Sequence, residues 1–203
     1  MATQSEPLIL INAFEVPPGA DEEFLHTWER ARDFLRTQPG YVSTALHQSI
    51  APQADFRFVN VGQWASAAEF RAATGQLGAQ GVVRRGHPYR PHPSLYEVVR
   101  EDEPAATSES AVVLINPFEV PAGADEEFIT SWEAARDYLR GQPRYLHTRL
   151  HRSILPDADF RFVNIAGWES AEAFRAAIGS PGFQQTGRPP YQAHPALYRV
   201  VRH

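Results

Sequence analysis

The chain contains the same segment twice. Residues 8–75 and 112–179 align without a gap, and roughly two thirds of the aligned positions are identical. The sharpest shared stretch, Ala-Asp-Phe-Arg-Phe-Val-Asn, falls at Ala54–Asn60 and again at Ala158–Asn164, with Trp64 or Trp168 four residues on. A self-similar chain is built from repeated structural units. The 203 residues thus divide into a first unit at 1–100, a linker at 101–110 and a second unit at 111–203. The linker, Glu-Asp-Glu-Pro-Ala-Ala-Thr-Ser-Glu-Ser, is acidic and rich in Pro and Ser, as flexible connections are. A unit of about a hundred residues can bury a core of its own.

Each half reads strand–helix–strand–strand–helix–strand. In the first, Leu8–Val16 is a strand closed by Pro17-Pro18-Gly19. Asp21-Glu22-Glu23 then opens a helix, with acids at the positive end of its dipole. Phe24, Trp28, Ala31 and Leu35 recur at helical spacing and form its buried stripe. Strands follow at 41–50 and 56–64. Ser66 with Glu69 has capping-box spacing for a second helix, and Phe70 and Ala73 face inward from it. A Gly-rich irregular stretch is expected at 75–86 and a last strand at 93–100. The second half repeats this as strand 112–120, helix 124–140, strands 145–154 and 159–168, helix 170–178 and strand 195–202. The order βαββαβ is the ferredoxin-like split βαβ, so the fold class is α+β. The strands are apolar on both faces, and a strand buried on both faces needs cover on both. The expected architecture is therefore two sheets packed face to face, an α+β barrel within one chain.

Composition removes several function classes. Net charge is −5 with no basic run, which gives nucleic acid or an anionic membrane no electrostatic support. The longest apolar runs are too short to cross a bilayer. Met1–Glu6 shows no secretory pattern, and a cytoplasmic location is expected. There is no cysteine, hence no disulfide, thiolate nucleophile or Cys-based metal site. All 19 basic side chains are arginine, which reads as the coding bias of a GC-rich bacterial genome and leaves no lysine for Schiff-base chemistry. No His and carboxylate set has metal-ligand spacing, and no dinucleotide fingerprint follows a strand.

What remains is a polar set on an apolar strand face. Asn60 and Trp64 share parity with Phe56 and Phe58, and Asn12 shares parity with Leu10 and Phe14. All three recur as Asn116, Asn164 and Trp168. A buried amide without a partner costs roughly 1–3 kcal/mol, so the set is either a satisfied network or the lining of a cavity that holds something polar. His47 and His151 are the shared histidines nearest this strand; alternation does not fix their face. His92 and His194 read as turn or rim residues. Asp55 with Arg57, and Asp159 with Arg161, read as solvated pairs at the strand entry.

The run Val59-Asn60-Val61-Gly62-Gln63-Trp64-Ala65-Ser66, and its copy Val163-Asn164-Ile165-Ala166-Gly167-Trp168-Glu169-Ser170, resembles the antibiotic biosynthesis monooxygenase family, whose pattern is V-N-x-x-x-W-x-S. The Leu-His-x-Ser of the preceding strand is present at Leu46–Ser49 and Leu150–Ser153. The resemblance implies ferredoxin-like units that pair as homodimers into a dimeric α+β barrel, here fused in one chain. A monomer would then suffice to close the barrel, with further oligomerisation open. It also implies a monooxygenase of secondary metabolism that takes a small hydrophobic aromatic or polyketide-like substrate and dioxygen. In the cofactor-independent anthrone oxygenases of this family, catalytic positions match Asn12, Asn60 and Trp64, and again Asn116, Asn164 and Trp168. Substrate contacts are expected at Phe14, His47 and Phe70, and at Phe118, His151 and Phe174. Some of these enzymes carry a Tyr where this chain has Phe70 and Phe174, so that hydroxyl is missing. The haem-degrading branch needs an axial helical His, and 75–85 and 179–189 contain none. The expectation is thus no cofactor and no metal, with haem binding or degradation as the alternative, and a non-catalytic small-molecule binder as a third reading.

Overall fold

The computed structural model describes residues 8–81, 87–102, 112–187 and 190–203. The first repeat runs β1 (Leu8–Glu15), α1 (Asp21–Leu35), β2 (Tyr41–Ser49), β3 (Phe58–Trp64), α2 (Ala67–Ala79) and β4 (Arg90–Glu101). The second runs β5 (Val112–Glu119), α3 (Asp125–Leu139), β6 (Tyr145–Ser153), β7 (Phe162–Trp168), α4 (Ala171–Ile178), α5 (Pro181–Gln184), β8 (Gln192–Ala193) and β9 (Ala196–Arg202). The protein is α+β, made of two ferredoxin-like βαββαβ repeats. Within the first repeat the strands lie in the order β4-β1-β3-β2, all neighbours antiparallel. In the second, β5 pairs with β7 and with β8 and β9, and β7 pairs with β6.

Local signals account for the helix starts. α1 and α3 begin on Asp-Glu-Glu with no side-chain cap, so acids at the N-terminal dipole take over that role. Ser66 and Ser170 cap α2 and α4 by accepting from the Glu69 and Ala173 N–H groups. Several boundaries differ from the sequence reading: β3 and β7 begin two and three residues later than expected, and β4 begins three residues earlier. Helix α2 continues through Gly75 and Gly78 to Ala79, because a Cβ-less residue on an open helix face costs only about 1 kcal/mol. Glu101 belongs to β4 and Asp102 donates its N–H to the Thr148 carbonyl, so the expected linker starts later; its remainder, 103–110, lies outside the described residues. The second repeat gains the short helix α5, and its last strand is split in two. Of the irregular stretches, 82–86 and 188–189 also lie outside the described residues.

Side-chain alternation sends Leu10, Phe58, Trp64 and Leu46 to the helix side of the first sheet, where they form two clusters. One gathers Phe24, Trp28, Leu46, Phe58 and Tyr89; the other gathers Leu10, Trp64, Ala73 and Leu95. The second repeat has the same pair of clusters, around Phe128 with Trp132 and around Trp168 with Phe174. The opposite face is buried as well, at Ile9, Ile11, Ala13, His47, Val59 and Tyr96.

The chain divides into two compact units whose limits are not those of the repeats. The first takes in the C-terminal Val200–His203. There Val201 packs on the Phe24–Trp28 cluster, Arg202 bonds Glu29 at 2.6 Å, and Arg32 donates to the His203 carbonyl at 2.9 Å. The second takes in Ser49–Ala54 and starts at Glu97. There the Ile50 N–H donates to the Leu197 carbonyl, and Glu97 and Glu101 pair with Arg152 and Arg149. Among the described residues no helix is long and apolar enough to cross a membrane.

Candidate functional site

Strand register assembles the polar set. Asn12 lies opposite Asn60, which in turn lies opposite Leu46. Asn116, Asn164 and Leu150 are placed in the same way. Each amide pair therefore sits on the helix side of its sheet, between an aromatic cluster above and one below. Trp64 and Trp168 close one end, each edge-on to a phenylalanine of the following helix, Phe70 at 5.5 Å and Phe174 at 5.6 Å between ring centroids.

In the first repeat the amide oxygens are taken up by the protein. Asn60 Oδ1 accepts from the Thr44 hydroxyl at 2.7 Å and from the Trp28 indole N–H at 3.2 Å. Asn12 Oδ1 accepts from the His92 backbone N–H at 3.0 Å. Among the described residues, the buried polar side-chain atom left unpaired there is the Tyr89 hydroxyl.

The second repeat keeps one of these bonds and releases the others. Thr148 donates to Asn164 Oδ1 at 2.7 Å. Asn116 Oδ1 and Trp168 Nε1 are buried without a partner. Both line a cavity of about 510 Å³ contained in this repeat. Its apolar walls include Leu114, Phe118, Leu139, Ala166 and Phe174, and its polar side chains are Asn116, Asn164, Thr148, Ser131, Arg136, Tyr145, Tyr191 and the two indoles of Trp132 and Trp168. A buried donor and a buried acceptor, both unsatisfied and carried by residues that line one cavity, are groups that a ligand's polar atoms can satisfy. Tyr145 also lines the cavity and donates its hydroxyl to Asp102 Oδ2 at 2.5 Å. Burial first, and then that bond, push the Tyr145 pKa up, so the phenol stays protonated.

Of the expected site residues, Asn116, Asn164, Trp168, Phe118 and Phe174 meet at this cavity. Asn12, Asn60 and Trp64 hold the matching places in the first repeat. Phe14 joins the Phe24–Trp28 cluster there, and Phe70 joins the Trp64 cluster. His47 and His151 do not join either set. They alternate with Leu46 and Leu150 and point to the opposite face, where each ring's Nδ1 bonds the carbonyl of Val59 or Val163. Burial holds both imidazoles at about 4, so they are neutral at pH 7. His92 lies buried within β4 rather than on a rim, and its Nε2 meets Glu15 at 2.9 Å; His194 meets Glu119 at 3.0 Å. Arg57 and Arg161 are not confined to the strand entry, because they reach Asp21 and Asp125 at the starts of α1 and α3. The Arg161 bond lowers the Asp125 pKa.

In the sequence Trp28 and Trp132 read as plain core, and Thr44 and Thr148 have no assigned part. The signal was available: both are repeated, and Thr44 has the parity of Leu46, two residues away across from Asn60. Phe183, brought over the cavity by α5, carries no repeat signal, whereas Tyr191 is the copy of Tyr89, and each packs against the first phenylalanine of its repeat's long helix. Among the described residues, no group of three or more His, Asp or Glu side chains is placed to hold a metal ion.

The chain is similar to known proteins. The family model described as antibiotic biosynthesis monooxygenase matches the chain twice, at residues 7–84 and 111–188. An anthrone oxidase-like protein of known structure is 14% identical, superposes with a TM-score of 0.69, and is aligned over 98% of this chain and 93% of its own. A cofactor-independent oxygenase of Streptomyces nogalater, SnoaB, is 28% identical over 47% of this chain and 97% of its own, with a TM-score of 0.40. A protein of Shewanella loihica PV-4 is 40% identical over 46% of this chain and 95% of its own, with a TM-score of 0.43. Among the curated proteins compared, none matches. With both of its repeats matched, the chain belongs to the antibiotic biosynthesis monooxygenase family.

Proposed function

We propose that this protein is a cofactor-independent monooxygenase that oxidises a planar aromatic ketone of the anthrone type, with the second-repeat cavity as its site. The observation that carries this reading is the apolar cavity with Asn116 Oδ1 and Trp168 Nε1 left unpaired in its wall. A protein of the same fold, described as anthrone oxidase-like, agrees with it.

The chemistry needs little from the protein beyond this. Ground-state dioxygen is a triplet and reacts slowly with closed-shell carbon. An anthrone carries a CH₂ group that loses a proton to give an electron-rich phenolate. That anion passes one electron to dioxygen, the resulting radical pair joins into a peroxide, and loss of water leaves a carbonyl. One oxygen atom ends in the product and the other in water, so CH₂ and O₂ give C=O and H₂O with no external reductant. The Asn164 amide and the Trp168 and Trp132 indoles are neutral N–H donors. Aimed at the substrate oxygen from a low-dielectric wall, they favour the anion over the ketone and promote the first step. The apolar lining admits dioxygen and a flat ring system and keeps bulk water from quenching the anion.

The test is oxygen uptake with an anthrone substrate. Loss of one such donor typically costs on the order of a hundredfold in turnover. The Asn60→Ala/Asn164→Ala variant is expected to fall by about that much; unchanged turnover would remove the assignment.

A further inference from the structure

The two repeats part chemically at one backbone position. The first repeat has Ala13 there, paired with His92 in an unbroken β4. The His92 N–H donates to Asn12 Oδ1, so that amide's acceptor is used within the protein. The second repeat has Pro117 at the same place. Proline has no N–H to give the strand opposite, and inside a sheet it interrupts the ladder. The register on either side is preserved: Ile115 with Ala196 and Phe118 with Ala193 match Ile11 with Ser94 and Phe14 with Pro91. Between them the pairing lapses, and β8 and β9 separate on either side of His194-Pro195. The His194 N–H donates to the Pro117 carbonyl at 3.0 Å. Asn116 Oδ1, buried at the cavity wall, receives nothing.

We propose that Pro117 sets the ligand specificity of the second cavity: by breaking the last strand it leaves Asn116 Oδ1 to accept a hydrogen bond from a ligand hydroxyl. Pro117 acts through Asn116 and is a positioning residue. A lone buried acceptor discriminates sharply. A phenol or enol O–H at that point satisfies it, whereas an ether or a bare ring leaves it unpaired. Trp168 Nε1, the other unpaired atom, calls for an acceptor on the same ligand. The preferred ligand is therefore a hydroxylated aryl ketone. This rests on the second cavity being the substrate site.

Binding of 2-hydroxyanthraquinone and 2-methoxyanthraquinone tests it. In a Trp28→Phe/Trp64→Phe background, the remaining Trp132 and Trp168 both line the second cavity, so fluorescence quenching reports that site. The hydroxy compound is expected to bind about tenfold more tightly. Pro117→Ala and Pro117→Val, which return an N–H to the strand, are each expected to bring that ratio to within about twofold of one, as is Asn116→Leu, which removes the acceptor. A ratio still near tenfold in a folded Pro117 variant, or a ratio of one before any Pro117 change, overturns the proposal. A preserved ratio shift without anthrone-dependent oxygen uptake counts against the proposed reaction alone. Failure of both compounds to bind overturns both.

Discussion

Thr44 and Thr148 hold Asn60 and Asn164 by hydroxyls 2.7 Å away, and only in the first repeat does a tryptophan add a second bond. At this scale, parity in the sequence was enough to place Asn60, Trp64 and Phe58 on one face. It was not enough for the histidines, because the face of His47 follows from the pairing of Leu46 with Asn60, a contact between strands that alternation along one strand cannot supply. The histidines carry a pH prediction instead of a substrate role. Both are neutral and buried, with pKa about 4, against about 6.5 in the unfolded chain. Between those values the unfolded state binds the extra protons, so stability is full above pH 6.5 and falls as the pH drops towards 4, by roughly 3 kcal/mol per histidine. Melting temperatures from pH 7 to pH 5 are expected to decline steeply in the wild type. In His47→Gln/His151→Gln the decline is expected to be shallower from a lower starting point. Parallel curves would contradict this.

Among the elements, α5 was the one the sequence hid. Its four residues are too short for a periodic signal, and Pro181-Gly182 reads as a turn. The reason for that glycine is tertiary. A Cβ at Gly182 would lie 2.5 Å from the Tyr138 ring, whose hydroxyl bonds Ser180 Oγ at 2.7 Å. This close seat brings Phe183 to the cavity wall. Overpacking it costs about 1–3 kcal/mol. Gly182→Val is expected to weaken ligand binding in the second cavity and to lower the melting temperature, and Tyr138→Leu in the same chain to restore both in part. A Gly182→Val chain with wild-type affinity would show that α5 does not shape the cavity. The longer elements were legible because their periodicity and caps agree with their packing. The split of β8 from β9 was not, because Pro117 acts on a strand some 75 residues away.

For the whole molecule, the repeat announced two ferredoxin-like units and two copies of one polar set. It did not announce that the first compact unit is completed by Val200–His203, or that the second begins at Glu97. Nor could identity between copies reveal that the copies are wired differently. Asn12 and Asn116 are the same residue in the same register, one satisfied and one not. The second set is proposed to perform oxygen chemistry with no cofactor. The most direct measurement is incorporation of ¹⁸O from labelled dioxygen into an anthrone, using chelator-treated protein without added metal, flavin or haem. The wild type is expected to place one labelled atom in the quinone at full rate, and Asn164→Ala/Trp168→Phe to lose most of that rate. Unlabelled product, activity that returns only when a cofactor is added, or a fully active double variant would contradict the account.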